Sequence, residues 1–431
     1  MIVQSLTIDG WRQFGKIDIN FHPRLTVLTG SNGAGKSTLL KIISNAFGQT
    51  ESLIATPLLS SDKRFVYSSG ILNPIISLSK DPSLNSFSRI GTVFFDEHEY
   101  SLRVPKDTGV SYSVAIFKEP LVNLYSHGGT QVSDFKGLYI RSHRPANTYQ
   151  QVGNIPTNII TAQNAYSSYQ ETIRQVTNNS YSQFSPTYRI KEAIISMATF
   201  GPGNLNVQGN DEVNTIYNNF KLMLRKILPR EIGFRDISVR IPDVVLVTDS
   251  GEFIIDSSSG GLMSLIDLAW QIFLYSIDNS TFTVLLDEPE NHLHPSMQRT
   301  VMSSLLDAFP NVQFIVATHS PFVVTSVKDS SVYVLKHEHI NDEIMSKRVY
   351  SYLLGNTNKS ATASETLREV LGVPVTLPMW AEEEIDLIIK KIQPDKFTDK
   401  TLENLRDELK KSGLEEHFPA ALNSLLGQLH D

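Results

Sequence analysis

Residues 30–38 read GSNGAGKST, and no other stretch constrains the chain as tightly. Gly30, Gly35, Lys36 and Ser37 fill the pattern G-x-x-x-x-G-K-[ST]. Glycines let the backbone turn sharply, so that successive amide N–H groups point into one concavity and bind phosphate oxygens. Lys36 is then expected to reach the β- and γ-phosphates of a nucleotide, and the Ser37 hydroxyl to ligate Mg²⁺. Ser31, Asn32, Gly33, Ala34 and Thr38 complete the same cradle. Such a loop needs a buried strand before it and a helix after it. Leu25–Leu28 is a short apolar, β-forming run, and residues 37–47 space Leu39, Leu40, Ile43, Ala46 and Phe47 at helical intervals. A chance glycine turn before a helix is the competing reading.

Three further motifs have the form a phosphate site requires. Thr283–Pro295, TVLLDEPENHLHP, sets an apolar strand directly before Asp287 and Glu288. A carboxylate at a strand's C-terminal end lies beside the phosphate loop of a doubly wound sheet, so Asp287 is expected to hold Mg²⁺, usually through water. Glu288 is placed to polarise an attacking water. Phe314–Pro321, FIVATHSP, ends a second strand in His319, whose imidazole can donate to a γ-phosphate and sense it. Ser257–Leu265, SSSGGLMSL, puts Ser259, Gly260 and Gly261 at a helix N-terminus, a second anion site. One subunit does not need two triphosphate sites, so this one suggests an inter-subunit contact; a plain serine N-cap is the alternative. His292 and His294 suggest a metal, but no third His stands at ligand spacing and Pro295 opens the next helix. Arg141, His143 and Arg144 form a basic knot that suits phosphate, a partner or bare solvent equally well.

Along its 431 residues the chain alternates between strand-like and helical regions. Residues 3–8, 15–21 and 25–28 read as strands, with a turn at Asp9–Gly10. About 60–130 reads as a small, largely antiparallel layer, and about 157–230 as helical. A second α/β stretch follows: a helix over 262–275, a strand over 282–286, a helix over 296–308, a strand over 313–317, and a strand over 332–335 expected to close the sheet. The tail is helical and acidic, with 12 Asp/Glu against 7 Lys/Arg from Glu382 to Asp431. Pro374, Pro378 and Pro394 rule out a long coiled coil there. A net charge of −7 argues against coating nucleic acid by bulk electrostatics. The absence of cysteine excludes disulfides, thiolate-bound zinc, iron–sulfur clusters and thiol nucleophiles. The N-terminus does not read as a signal peptide and no run approaches 18 apolar residues, so a cytoplasmic protein without membrane spans is expected.

In this order the four motifs resemble the ABC-type ATPase heads of the RecF, SMC and OLD families, over residues 1–60 and about 255–335. EPENHLHPSMQR looks most like the OLD branch. The resemblance implies an α/β ABC-type head: a P-loop mixed sheet with an antiparallel β layer, a helical lobe insertion and a C-terminal helical extension. It sets the head at 1–335 and an acidic helical region at 336–431. It implies two heads paired head to tail, or a larger even number, with each ATP between the 30–38 loop of one and Ser259-Gly260-Gly261 of the other. Asp287 would serve Mg²⁺, Glu288 would be the catalytic carboxylate, His319 the γ-phosphate switch, and Asn291–His294 the loop crossing the seam.

The match also has departures. Ser258 stands where the signature usually has Leu, Leu262 follows the glycines, and Gln150, Gln151 and Gln163 all remain open for the glutamine before the helical lobe. No D-x-D follows Val334, so the nuclease of OLD enzymes is not expected. Heads of this size resemble the ATPase subunits of two-gene anti-phage systems such as the Septu and PARIS types. That implies a separate effector, a nuclease, as partner. A RecF-like clamp on duplex DNA is the alternative, and a transporter subunit fits poorly. Leu402, Leu405, Leu409, Leu422, Leu425, Leu426 and Leu429 would face either a partner or the chain's own head.

Overall fold

The run that carries the phosphate loop is an inner strand of an eleven-stranded sheet. The computed structural model describes residues 2–59, 63–71, 86–118, 135–142, 148–155, 159–178, 180–339, 347–355, 362–371, 378–392, 399–419, 421, 422 and 425. The first eleven strands are β1 (Val3–Trp11), β2 (Phe14–Asn20), β3 (Leu25–Gly30), β4 (Leu53–Ile54), β5 (Thr56–Leu59), β6 (Phe65–Ser68), β7 (Phe87–Phe95), β8 (His98–Pro105), β9 (Ser111–Tyr112), β10 (Ala115–Lys118) and β11 (Gly137–Ile140). Then come β12 (Phe234–Arg240), β13 (Asp243–Thr248), β14 (Gly251–Ile254), β15 (Phe282–Asp287), β16 (Val312–Ala317), β17 (Ser331–His339) and β18 (Lys347–Leu353). Across the large sheet the order is β10-β8-β7-β1-β2-β18-β17-β3-β16-β15-β11. From β17 to β11 all neighbours are parallel, whereas β10, β8, β7, β1 and β2 run antiparallel in succession. The antiparallel layer is therefore the continuation of the nucleotide sheet.

The helices of this unit are α1 (Lys36–Ser44), α2 (Ala162–Thr177), α3 (Pro186–Phe200), α4 (Asp211–Ile227), α5 (Gly260–Asp278), α6 (Pro295–Ala308) and α7 (Pro321–Val324). Strand alternation splits the core into two clusters. Val284, Leu286, Phe314 and Val316 face the α2–α6 side, while Leu285, Ile315 and Ala317 face α1 and the antiparallel strands. Both faces of the parallel strands are covered, so β3, β15 and β16 are buried at every residue and are mostly apolar, with Thr26, Thr29, Thr283 and Gln313 as buried polar residues among them. α5 is long and apolar enough to cross a membrane by composition, yet 72% of that stretch is buried inside the protein. The expectation that no such run exists is corrected: α5 is the central helix of the larger core cluster.

Three further expectations change. Val332–Leu335 does not close the sheet; β17 lies between β3 and β18, and β18 was not foreseen. The β1–β2 turn falls at Arg12–Gln13, because β1 runs on through Gly10, with Asp9 paired to Lys16 and Trp11 to Phe14. The head does not end at 335. The β17–β18 hairpin belongs to the large sheet, and the first compact unit runs Met1–Thr366 with Val370–Gly372. The second unit comprises Leu367–Glu369 and Val373–Asp431. Within it Leu405, Leu409 and Leu425 close a small core with Ile385, Ile388, Ile389 and Leu414. These leucines therefore serve the unit's own packing and are not free for a partner. Leu426 and Leu429 lie outside the described residues.

Candidate functional site

The backbone of the 30–38 loop could belong to few sequences. Gly30, Gly33 and Gly35 have φ of 135°, 77° and 91°, values that L side chains adopt only under strain. A Cβ on Gly30 would strike the Leu335 carbonyl of β17, and one on Gly35 would meet Gln13 and Phe14 at 2.5 Å. Ala34 is buried, whereas Ser31, Asn32 and Gly33 are open to solvent and Thr38 is half-buried. α1 begins at Gly35 with no side-chain cap and no acid in its first turn. Its first amides are thus left for an anion, and the cradle fits a polyphosphate.

Lys36 bends back into this loop. Its Nζ donates to Gly30 O at 2.9 Å and Ser31 O at 3.1 Å and lies 3.5 Å from His319 Nδ1. Burial pulls its pKa down to about 8, against the pull of Glu288, Asp287 and Glu290, which favour the charge. The Ser37 hydroxyl donates to Asp287 Oδ1 at 3.0 Å. A hydroxyl and a buried carboxylate held together form the oxygen donor set a small hard cation takes. Burial raises the pKa of Asp287, partly offset by the Ser37 hydrogen bond.

Past Asp287 the chain turns back on itself. Glu288 adopts φ 50° and its N–H donates to Ala317 O at 2.8 Å. One carboxylate oxygen accepts from Asn291 Nδ2 at 3.0 Å; the other lies 3.9 Å from His319 Nε2. His319 thus stands between Lys36 and Glu288. Burial lowers its pKa, Lys36 lowers it further, and Glu288 opposes both. Lys36, Ser37, Asp287, Glu288 and His319, up to 283 positions apart in sequence, meet at the C-terminal ends of parallel strands.

Ser259 is the N-cap of α5, its Oγ accepting from Leu262 N at 3.3 Å. A Cβ on Gly261 would lie 2.8 Å from His292 O, so the 288–294 turn packs on the start of this helix. Gly260 is exposed and has room, the nearest atom to an added Cβ being His292 Cβ at 3.7 Å. His294 caps α6 through Ser296 N. Arg141 pairs with Glu51, while His143 and Arg144 lie outside the described residues.

None of the three glutamines considered approaches Asp287 through any hydrogen bond among the described residues. Gln150 binds Gln183 O and Ser185 N, and Gln151 and Gln163 are exposed. Tyr139 of β11 comes instead, its hydroxyl donating to Asp287 Oδ2 at 3.4 Å. Tyr139, Glu290 and Lys191 went unnoticed in the sequence. The one available signal was the short apolar run Leu138-Tyr139-Ile140 as a strand edge.

Fold and site together place a P-loop, a buried carboxylate and a histidine at one edge of a mixed α/β sheet, the arrangement of a nucleotide-binding domain. Residues 5–87 match a family described as an AAA domain, and 205–325 one described as an AAA domain, putative AbiEii toxin, Type IV TA system. The chain is similar to the Retron Vc95 probable ATPase of Vibrio cholerae serotype O1 biovar El Tor, 23% identical over 91% of this chain and 82% of that one. It is also similar to the Septu protein PtuA of Bacillus thuringiensis, 23% identical over 89% of this chain and 87% of that one. Among solved structures, the SMC head domain from Thermotoga maritima overlaps 82% of this chain and all of its own at TM-score 0.44 and 14% identity.

Proposed function

We propose that this chain is the ATPase subunit of a bacterial anti-phage defence complex. In this reading it works in the cytoplasm, binding and hydrolysing ATP and so controlling a separate effector, a nuclease. The observation that supports hydrolysis best is the convergence of Lys36, Ser37 and Asp287 with Glu288 and His319. The relatives named as a retron ATPase and a Septu protein support the defence setting.

On this reading the 30–38 amides and Lys36 hold the phosphates, with Lys36 exchanging the Gly30 and Ser31 carbonyls for phosphate oxygens. Ser37 and Asp287 would hold Mg²⁺, which supplies positive charge opposite the phosphate oxygens. Glu288 takes the proton of the attacking water, oriented by Asn291 Nδ2 on its far oxygen. His319 donates to the terminal phosphate. Ser259, Gly260 and Gly261 act on the nucleotide of a second copy. Support comes from Gly260, since among the described residues nothing forbids a side chain there.

Lys36→Ala is expected to abolish nucleotide binding in a filter or calorimetric assay; retained binding refutes the loop assignment. Glu288→Gln is expected to bind ATP, to lose about 10²–10⁴-fold in turnover and to accumulate as an ATP-dependent dimer in sedimentation. Affinity purification from the native host, read by mass spectrometry, tests the setting. If no effector co-purifies and the ATP-bound protein alone grips duplex DNA, the RecF-like clamp replaces the defence reading.

A further inference from the structure

We propose that Glu290 is a positioning residue for hydrolysis: its buried carboxylate fixes the Thr318–Ser320 backbone, and with it the His319 imidazole, to the turn that carries Glu288. The inference rests on the hydrolytic reading of the site. It adds a residue that acts on the switch histidine from behind.

Glu290 is only 9% exposed. It sits in a tight turn closed by Asn291 N to Glu288 O at 3.1 Å and Leu293 N to Glu290 O at 2.9 Å. β16 ends at Ala317 and Thr318 N still donates to Leu28 O of β3 at 3.0 Å, so the amides from His319 onward are the ones left without a sheet partner. Glu290 Oε1 replaces it. It accepts from Thr318 Oγ1 at 2.5 Å, His319 N at 3.0 Å and Ser320 N at 3.2 Å. Three donors on one carboxylate oxygen fix a backbone segment more firmly than any one bond.

Two further links, one direct and one through Gln298, clamp the same pair of segments. Glu288 N donates to Ala317 O, and Gln298 joins Ser320 Oγ (2.6 Å) to Leu293 O (2.9 Å). The 288–294 turn and residues 317–320 are thus bonded at both ends, with Glu290 between. That turn also carries His292, whose carbonyl lies against Gly261. A shift of the turn at that contact therefore reaches His319 through Glu290 without crossing the nucleotide.

The carboxylate is expensive where it stands. Glu290 Oε2 is buried without a hydrogen-bond partner, a cost an apolar or amide side chain would not carry to the same degree. An acid kept at such a place fits a role in the reaction better than a role in stability.

A double-mutant cycle on turnover tests this. Glu290→Ala is expected to lower kcat about 10²-fold with ATP affinity little changed, and some loss in melting temperature from the donors left unpaired. Glu290→Gln, which keeps the acceptor oxygen, should restore most of the loss. The decisive result is the double variant Glu290→Ala/His319→Ala, expected to be no slower than His319→Ala alone. If the two losses multiply, Glu290 does not act through His319 and the inference falls while the site assignment stands. If His319→Ala alone turns over normally, the switch assignment and the inference fall together. Should Glu290→Ala not fold, Thr318→Val removes one of the three donors at nearly constant shape and enters the same cycle, with the same two outcomes.

Discussion

At the scale of single residues, the chemistry rests on a cation and an imidazole that share one poorly solvated place. Lys36 and His319 are 3.5 Å apart, and both have lowered pKa values, mainly through burial. His319 therefore stays neutral below the ordinary 6.5, a donor that can respond to a phosphate without first losing a proton. The sign of the linkage follows. On acidification the unfolded chain protonates this histidine first, so stability falls as pH drops through 6.5 toward the lower native value. NMR titration of the His319 ring is expected to give a midpoint under 6.5, and Lys36→Met should move it upward by removing the neighbouring charge. A midpoint at or above 6.5 in the wild type would show that the ring is not desolvated as described. The residues proposed to touch phosphate were legible in the sequence because their spacing is local: four positions of the 30–38 run suffice. Glu290 and Tyr139 were not, because their partners stand 28 and 148 positions away. Nothing in EPEN tells which acid faces solvent and which accepts backbone amides.

At the scale of elements, the start of α5 is held by a buried charge. Lys191 on α3 is fully buried; its Nζ lies 2.7 Å from Asp256 Oδ2 and donates to Gln150 O at 2.7 Å, with Asp243 Oδ1 at 3.5 Å. Asp256 precedes Ser259 by three residues, so the pair ties the start of α5 to α3 and to Gln150. Removing one partner of a buried pair leaves the other uncompensated. Lys191→Met is therefore expected to cost about 3–5 kcal/mol of stability, and Lys191→Met/Asp256→Leu to recover much of it. Chemical denaturation measures both; a single variant as stable as wild type would show that the pair is not desolvated. Parallel strands and amphipathic helices were readable because burial on both faces gives mostly apolar runs and 3.6-residue spacing. The place of β17 was not, since Val332–Leu335 looks alike whether it lies at an edge or inside. β11 is four residues long and gave too little pattern to separate it from a loop.

For the whole molecule, the question is whether one chain contains a complete site. Loop, Asp287, Glu288 and His319 meet within a single chain, and in the proposed reading they form its half of the site. Ser259 and Gly260 are exposed at the start of α5, and among the described residues no atom lies close enough to bar a side chain at Gly260. The boundary misplaced at 335 bears on the same question. It was drawn at the last motif, whereas the sheet that presents the loop continues through β18 and flanks β3 on the far side from Asp287. Mixing two inactive variants separates a shared site from a self-contained one. Lys36→Ala lacks a working loop and Gly260→Arg a working signature; neither homodimer has a functional site. In an isologous pair, a mixed dimer joins the intact loop of one to the intact Gly260 of the other at one of its two sites. Half the dimers in an equal mixture are mixed, so about a quarter of wild-type turnover should return. No recovery on mixing, with both variants folded and able to pair, would mean that each chain hydrolyses alone. Full turnover by Gly260→Arg alone would show that no partner comes near that helix start.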